Sequence, residues 1–151
     1  MARLMVAVTF GLLVAAHGPG QEKVKNDKDQ LQGSWQVAIV EWKGKPMPEA
    51  EAEKILLVIE GDTLTTKWGD KVKSKGKIKL DPSKKPKTLD LEHVEDAGDV
   101  KKGQVQQGIY VIDGDTLKWC MGAPGAEDRP KEFTTNDKQN HMLIVAKRSK
   151  K

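Results

Sequence analysis

The chain has 151 residues and a formal net charge of +4, with 37% apolar, 32% charged and only 5% aromatic residues. Those proportions fit a single domain with a small core built around a few large anchors, since four of the seven aromatics are Trp. A lone cysteine, Cys120, excludes a disulfide scaffold, and the mild positive charge argues for no particular partner.

Residues 1–20 read as a secretory signal peptide. Arg3 supplies a short positive start, an apolar run follows from Leu4 to Ala16, and small residues then cluster at Ala15, Ala16, Gly18 and Gly20. The run is too short for a membrane-spanning helix, which needs about 20 residues. Cleavage is expected after Ala16 or between Gly18 and Gln21, and it lowers the net charge from +4 to +3 because Arg3 is lost. Export to the periplasm or beyond follows. Residues 21–30 are nearly all charge and amide, the composition of a solvated linker.

From Leu31 the texture changes to short period-two runs punctuated by Gly, Asp and Pro, so residues 31–151 are expected to form one all-β domain. Residues 33–42 form the first strand, with Trp35, Val37 and Ile39 on one face, ended by the turn chemistry of Lys43-Gly44-Lys45-Pro46. Residues 48–54 open on Pro and continue with Ala and Glu, which predicts one short helix.

Ile59-Glu60-Gly61-Asp62-Thr63-Leu64 recurs as Ile112-Asp113-Gly114-Asp115-Thr116-Leu117. Glu-Gly and Asp-Gly between apolar runs predict two similar hairpins with two-residue turns. Ile55, Leu57 and Ile59 then share a side with Asp62, Leu64, Thr66 and Trp68. In the second copy Tyr110 and Ile112 share a side with Asp115, Leu117, Trp119 and Met121. Between the copies, Lys71, Lys73, Lys75, Lys77 and Lys79 alternate with apolar or small residues, as in a strand with one lysine face. A turn at 82–86, a strand at 88–94, a polar loop at 95–102 and a loop at 122–130 follow. A short strand at 132–135 and a last strand at 141–148 complete the domain, and 149–151 form a frayed tail. Antiparallel chains with about eight strands commonly remove their edges by closing into a barrel.

Gly33-Ser34-Trp35 at the start of the first strand resembles the G-x-W signature of lipocalins and the wider calycin group. The set LQGSWQV, KGKPMP, IEGDTLT, LDPSKKPKTLDL, GIYVIDGDTLKWC, APGAEDRPKEF and HMLIVAKR, spanning Leu31 to Arg148, resembles an uncharacterised family of secreted lipocalin-like domains best known from planctomycete bacteria. The resemblance implies an antiparallel up-and-down lipocalin-like β-barrel of about eight strands. It also implies a closed end at Gly33 and Trp35, where the Trp meets a basic residue of the last strand, Arg148 or Lys147. It supplies no catalytic residues. Trp119 departs from the family pattern, standing where a smaller aliphatic residue is expected.

No catalytic, metal or cofactor site is expected. His93 and His141, the two His of the mature chain, have no local signature with Cys120 or a Ser, and they read as surface residues on strand ends. There is no H-x-x-H, C-x-x-C or acidic metal loop, and Asp96 and Asp99 around Gly98 are ordinary loop composition. Asp62 and Asp115 are the one suggested pair of carboxylates, and each reads as bonding its own turn. Nothing resembles a phosphate loop or a nucleic-acid motif. Cys120 reads as a buried thiol.

What remains is a non-catalytic binding module. Trp35, Leu57, Leu64, Trp68, Tyr110, Leu117 and Trp119 form the expected inner wall, either as solid core or around a small apolar ligand, because a barrel of eight strands has room for one or the other. The alternative is a secreted interaction or inhibitor domain, or an envelope-associated one, that docks through the 122–130 loop or meets an anionic polysaccharide or envelope component through the five lysines.

Overall fold

The computed structural model describes residues 26–150; the expected signal peptide and its cleavage sites lie outside them. A helix, α1 (Asp27–Leu31), leads into β1 (Gly33–Trp42), a two-residue strand β2 (Lys45–Pro46), a helix α2 (Glu49–Ala52), and seven further strands: β3 (Ile55–Glu60), β4 (Thr63–Trp68), β5 (Lys71–Asp81), β6 (Thr88–His93), β7 (Val105–Asp113), β8 (Thr116–Met121) and β9 (Met142–Arg148). From β3 to β9 each strand pairs antiparallel with the next. β1 joins β3 on one side and β9 on the other. This closes an eight-stranded, up-and-down, lipocalin-like barrel, with β2 folded back on the end of β1 as a flap. Closure leaves no long sheet edge open to pairing with another chain. The short helix expected after the first strand is α2.

The two hairpins form with the faces the sequence predicts but with turns moved by one residue. Glu60 pairs with Thr63 and Asp113 with Thr116, so the turns are Gly61-Asp62 and Gly114-Asp115, not Glu60-Gly61 and Asp113-Gly114. The glycine φ values of +61° and +59° supply the positive φ that a type II′ turn needs at its first central position. Because the register moves by two, Leu57 and Leu64 keep the inner face while Asp62 and Asp115 leave it for the turns.

Bulges correct the sequence reading in two strands. β1 shifts register between Val37 and Ile39, so Ile39 turns outward, 49% exposed, and Val40 takes the inner position. β5 shifts opposite Thr66 and Lys67, where Val72 and Ser74 are the paired residues. One extra residue reverses the alternation beyond it. Lys75, Lys77 and Lys79 keep the outer face, whereas Lys71 pairs with Trp68 on the inner side at the barrel's open end. The five lysines therefore do not share a face.

Two stretches differ more. Residues 27–30, expected in the linker, are helical together with Leu31. Asn26 accepts a hydrogen bond from the Asp29 N–H as an N-cap, and Leu31 is fully buried. A helix this short is held by tertiary contact, not by propensity. The expected strand at 132–135 does not form, because the closed ring leaves it no edge. That connection is tied down by side chains instead: Arg129 bonds Asp90 and the Gly108 carbonyl, and Thr135 bonds Glu41 and the Gly44 N–H.

The candidate ligand cavity

The barrel has a sealed end and an open end. At the sealed end Trp35 is wholly buried and its indole N–H donates to the Leu31 carbonyl at 2.8 Å. The Arg148 guanidinium stacks 4.3 Å from the Trp35 ring centre and donates to the carbonyls of Gln30 and Gln32 and, at 3.3 Å, to Asp115. Gly33, at φ +112°, starts β1 beneath that guanidinium. The basic residue that meets the G-x-W tryptophan is thus Arg148. Tyr110 donates to Asp27 of α1 at 2.7 Å, and Lys87 reaches the same carboxylate oxygen at 2.8 Å. Asp62 pairs with Lys28 and Asp115 with Arg148. The two carboxylates therefore fasten the terminal segments and do not face a shared site.

The open half holds a cavity of about 600 Å³. Four of the seven expected wall residues, Leu57, Leu64, Trp68 and Trp119, line it. Trp35, Tyr110 and Leu117 do not; they fill the sealed half as core. The bulge in β1 brings Val40 and Trp42 to the wall, and Met142 and Ile144 of β9 complete an apolar side. Trp42 stands at the rim, half exposed, its indole N–H donating to Asn140 at 2.8 Å. The loop after β6 contributes Ala97, Gly98 and Val100, and the loop after β8 contributes Gly122, Ala123 and Pro124.

Trp119 fits because Gly108 lies beside it. A Cβ on Gly108 would come within 2.7 Å of the Trp119 indole nitrogen, so the glycine makes room for the larger ring. Gly76 plays the same part for Leu91, whose Cδ1 an added Cβ would strike.

Polar side chains from β4 to β7 are set among the apolar ones, Thr66 lying between Leu64 and Trp68 on β4. Thr66 pairs with Ser74, and His93 bonds Gln106 at 2.8 Å; Gln106 in turn donates to the Gly122 carbonyl at 3.0 Å. His93 and His141, expected at the surface, are both buried. His93 alternates with the inward Leu89 and Leu91, a pattern that would have placed it inside, and Gln106 stands likewise in step with Gly108 and Tyr110. His93 Nδ1 and Trp119 Nε1 are buried polar atoms without a hydrogen-bond partner among the described residues. Among the described residues Lys73, at the β5 bulge, is the one Lys or Arg on the cavity wall, and no Asp or Glu lines it.

Cys120 is fully buried and away from the cavity wall; burial, with Glu41 adding to it, pushes its thiol pKa up to about 11. Its sulfur faces the Thr134 carbonyl at 3.8 Å. His141 meets Asp128 at 2.9 Å, and neither lines the cavity. Among the described residues no cluster of three His, Cys, Asp or Glu could hold a metal, and no helix is long and apolar enough to cross a membrane.

A larger cleft of about 750 Å³ lies outside the barrel at the β5–β6 turn, between Lys79, Lys84, Lys85 and Lys131. It is a solvated surface groove whose Arg129 is committed to Asp90. On the outer face, Lys77 stands opposite Glu92 and Lys79 opposite Asp90, so acids on β6 offset the lysines of β5. Comparison with protein-family models, with curated proteins and with solved structures finds no match.

Proposed function

We propose that the protein is an exported, non-catalytic binding module that holds a small apolar ligand in the open half of its barrel. The observation that carries this reading is the cavity of about 600 Å³ bounded by Leu57, Leu64, Trp68, Val40 and Ile144. Small-molecule sites are typically concave, mostly apolar and roughly 300–1,000 Å³, and an eight-stranded barrel can enclose one small ligand. The sealed end supplies the rigid base that such a site needs, and mobile or exchangeable contacts belong at the rim.

Docking through the lysine-rich strand draws less support. The β5 bulge divides the lysines, and Glu92 and Asp90 lie across from two of them.

The test is to recover the full-length gene product from a bacterial periplasm and weigh it by native mass spectrometry, then again denatured. The expected result is a processed chain carrying a discrete extra mass that disappears on denaturation. A clean unliganded mass, together with tryptophan emission that lipophilic probes do not quench, would overturn the reading.

A further inference from the structure

The cavity is mostly apolar but carries a strip of hydrogen-bond donors where β4 meets β5, and its charge is one-sided. Lys73 makes no ion pair, and the hydroxyls of Thr66 and Ser74 make no side-chain hydrogen bond among the described residues. The three sit together: Thr66 faces Ser74 across the β4–β5 pairing, and Lys73 is the adjacent bulge residue. The bulge is what brings a lysine from an otherwise outward strand to the cavity wall. With no carboxylate on that wall, an acceptor group there gains donors and meets no repulsion. A cationic or purely hydrocarbon ligand would leave those donors unmatched.

We infer that the ligand is a single-tailed alkyl carboxylate, its tail against Leu57, Leu64, Trp68 and Ile144 and its head on Lys73, Ser74 and Thr66. This inference rests on the proposed binding function and specifies the chemistry of that site. The tail supplies most of the affinity, because each buried methylene contributes about 0.8 kcal/mol, roughly a fourfold gain in affinity. The head supplies selection, since Lys73 is exposed at the rim and its pairing is partly screened.

The experiment compares dodecanoate, dodecanol and dodecylammonium as displacers of a lipophilic fluorescent probe from the full chain, each below its micellar concentration. Dodecanoate is expected to bind at least tenfold more tightly than dodecanol, and dodecylammonium most weakly. Lys73→Met is expected to weaken dodecanoate about threefold to fivefold and to leave dodecanol unchanged, and the Thr66→Val, Ser74→Ala pair to weaken dodecanoate about tenfold. Lys73 is exposed, so its replacement tests recognition without testing the fold. Equal binding of the acid and the alcohol, tighter binding of the amine, or a preference for the acid that Lys73→Met leaves intact would overturn the inference while the binding function stands. Failure of all three to displace the probe would overturn both.

Discussion

Arg148 ties together the parts of the sealed end. Its planar guanidinium covers Trp35, satisfies two backbone carbonyls at the exit of α1, and pairs with Asp115 of the β7–β8 turn. A lysine could keep the charge but not the fork or the stacking surface. Arg148→Ala is expected to destabilise the protein by about 2–4 kcal/mol, combining lost cation–π contact with carbonyls left unsatisfied. Arg148→Lys is expected to recover less than half of that loss. Urea unfolding followed by tryptophan fluorescence measures both, and an alanine variant within about 0.5 kcal/mol of the parent would remove Arg148 from this role. The family resemblance left Arg148 or Lys147 as the basic partner of the G-x-W tryptophan, and the stacking on Trp35 decides for Arg148. His93 was read as a surface residue although it alternates with Leu89 and Leu91, because a polar residue on an inner face reads as a strand end unless the neighbouring strand is known to supply Gln106.

At the scale of elements, α1 is the informative case, because its sequence is polar and its order comes from contacts 60 and 83 residues away. Burial works against the charge of Asp27, but the hydrogen bonds from Lys87 and Tyr110 outweigh it and hold the carboxyl below its ordinary value of 3.8. A carboxyl whose pKa is lowered by folding adds stability above the unfolded value, and that stability is lost as pH falls below 3.8 through the folded value. Tyr110 shifts the other way: burial first, then the bond to Asp27, raise its pKa above 10. Its contribution is full below pH 10 and is lost as pH rises past it. Stability against denaturant should therefore fall at both ends of the range. Asp27→Asn is expected to flatten the acid limb and Tyr110→Phe the alkaline limb, read from unfolding midpoints between pH 2.5 and 11. An acid limb unchanged in Asp27→Asn would mean that α1 is not anchored through this carboxylate. The bulges belong to the same scale. Period-two patterning locates a strand but is blind to one inserted residue, so Ile39 was expected inside and Lys71 and Lys73 outside.

Over the whole molecule, order should be graded along the barrel axis. The sealed end joins Trp35, Tyr110, Arg148 and α1 in dense contact, whereas the open end is bounded by loops around the cavity. Local opening follows the density of buried contacts. In hydrogen exchange, amides of β1 near Trp35 and of β9 near Ala146 are expected to be the slowest, and those of residues 94–104 and 122–141 the fastest. Bound dodecanoate is expected to slow exchange at the second group only. Uniform protection from end to end would contradict a rigid base carrying an adaptable mouth.

The sequence by itself determined the all-β class, the two hairpins and the helix after the first strand. Those features are written in local alternation and in glycine-bearing turns, which act over a few residues. It also marked the seven inward residues, since alternation within a regular strand assigns a face without any knowledge of the partner. Only the tertiary structure decided which of the seven fill the sealed half and which line a cavity. That division depends on where the ring closes, on Gly108 making room for Trp119, and on bulges in β1 and β5 that turn Val40 and Lys73 towards the cavity. Such facts follow from the register between strands far apart in the chain, and no local pattern specifies them.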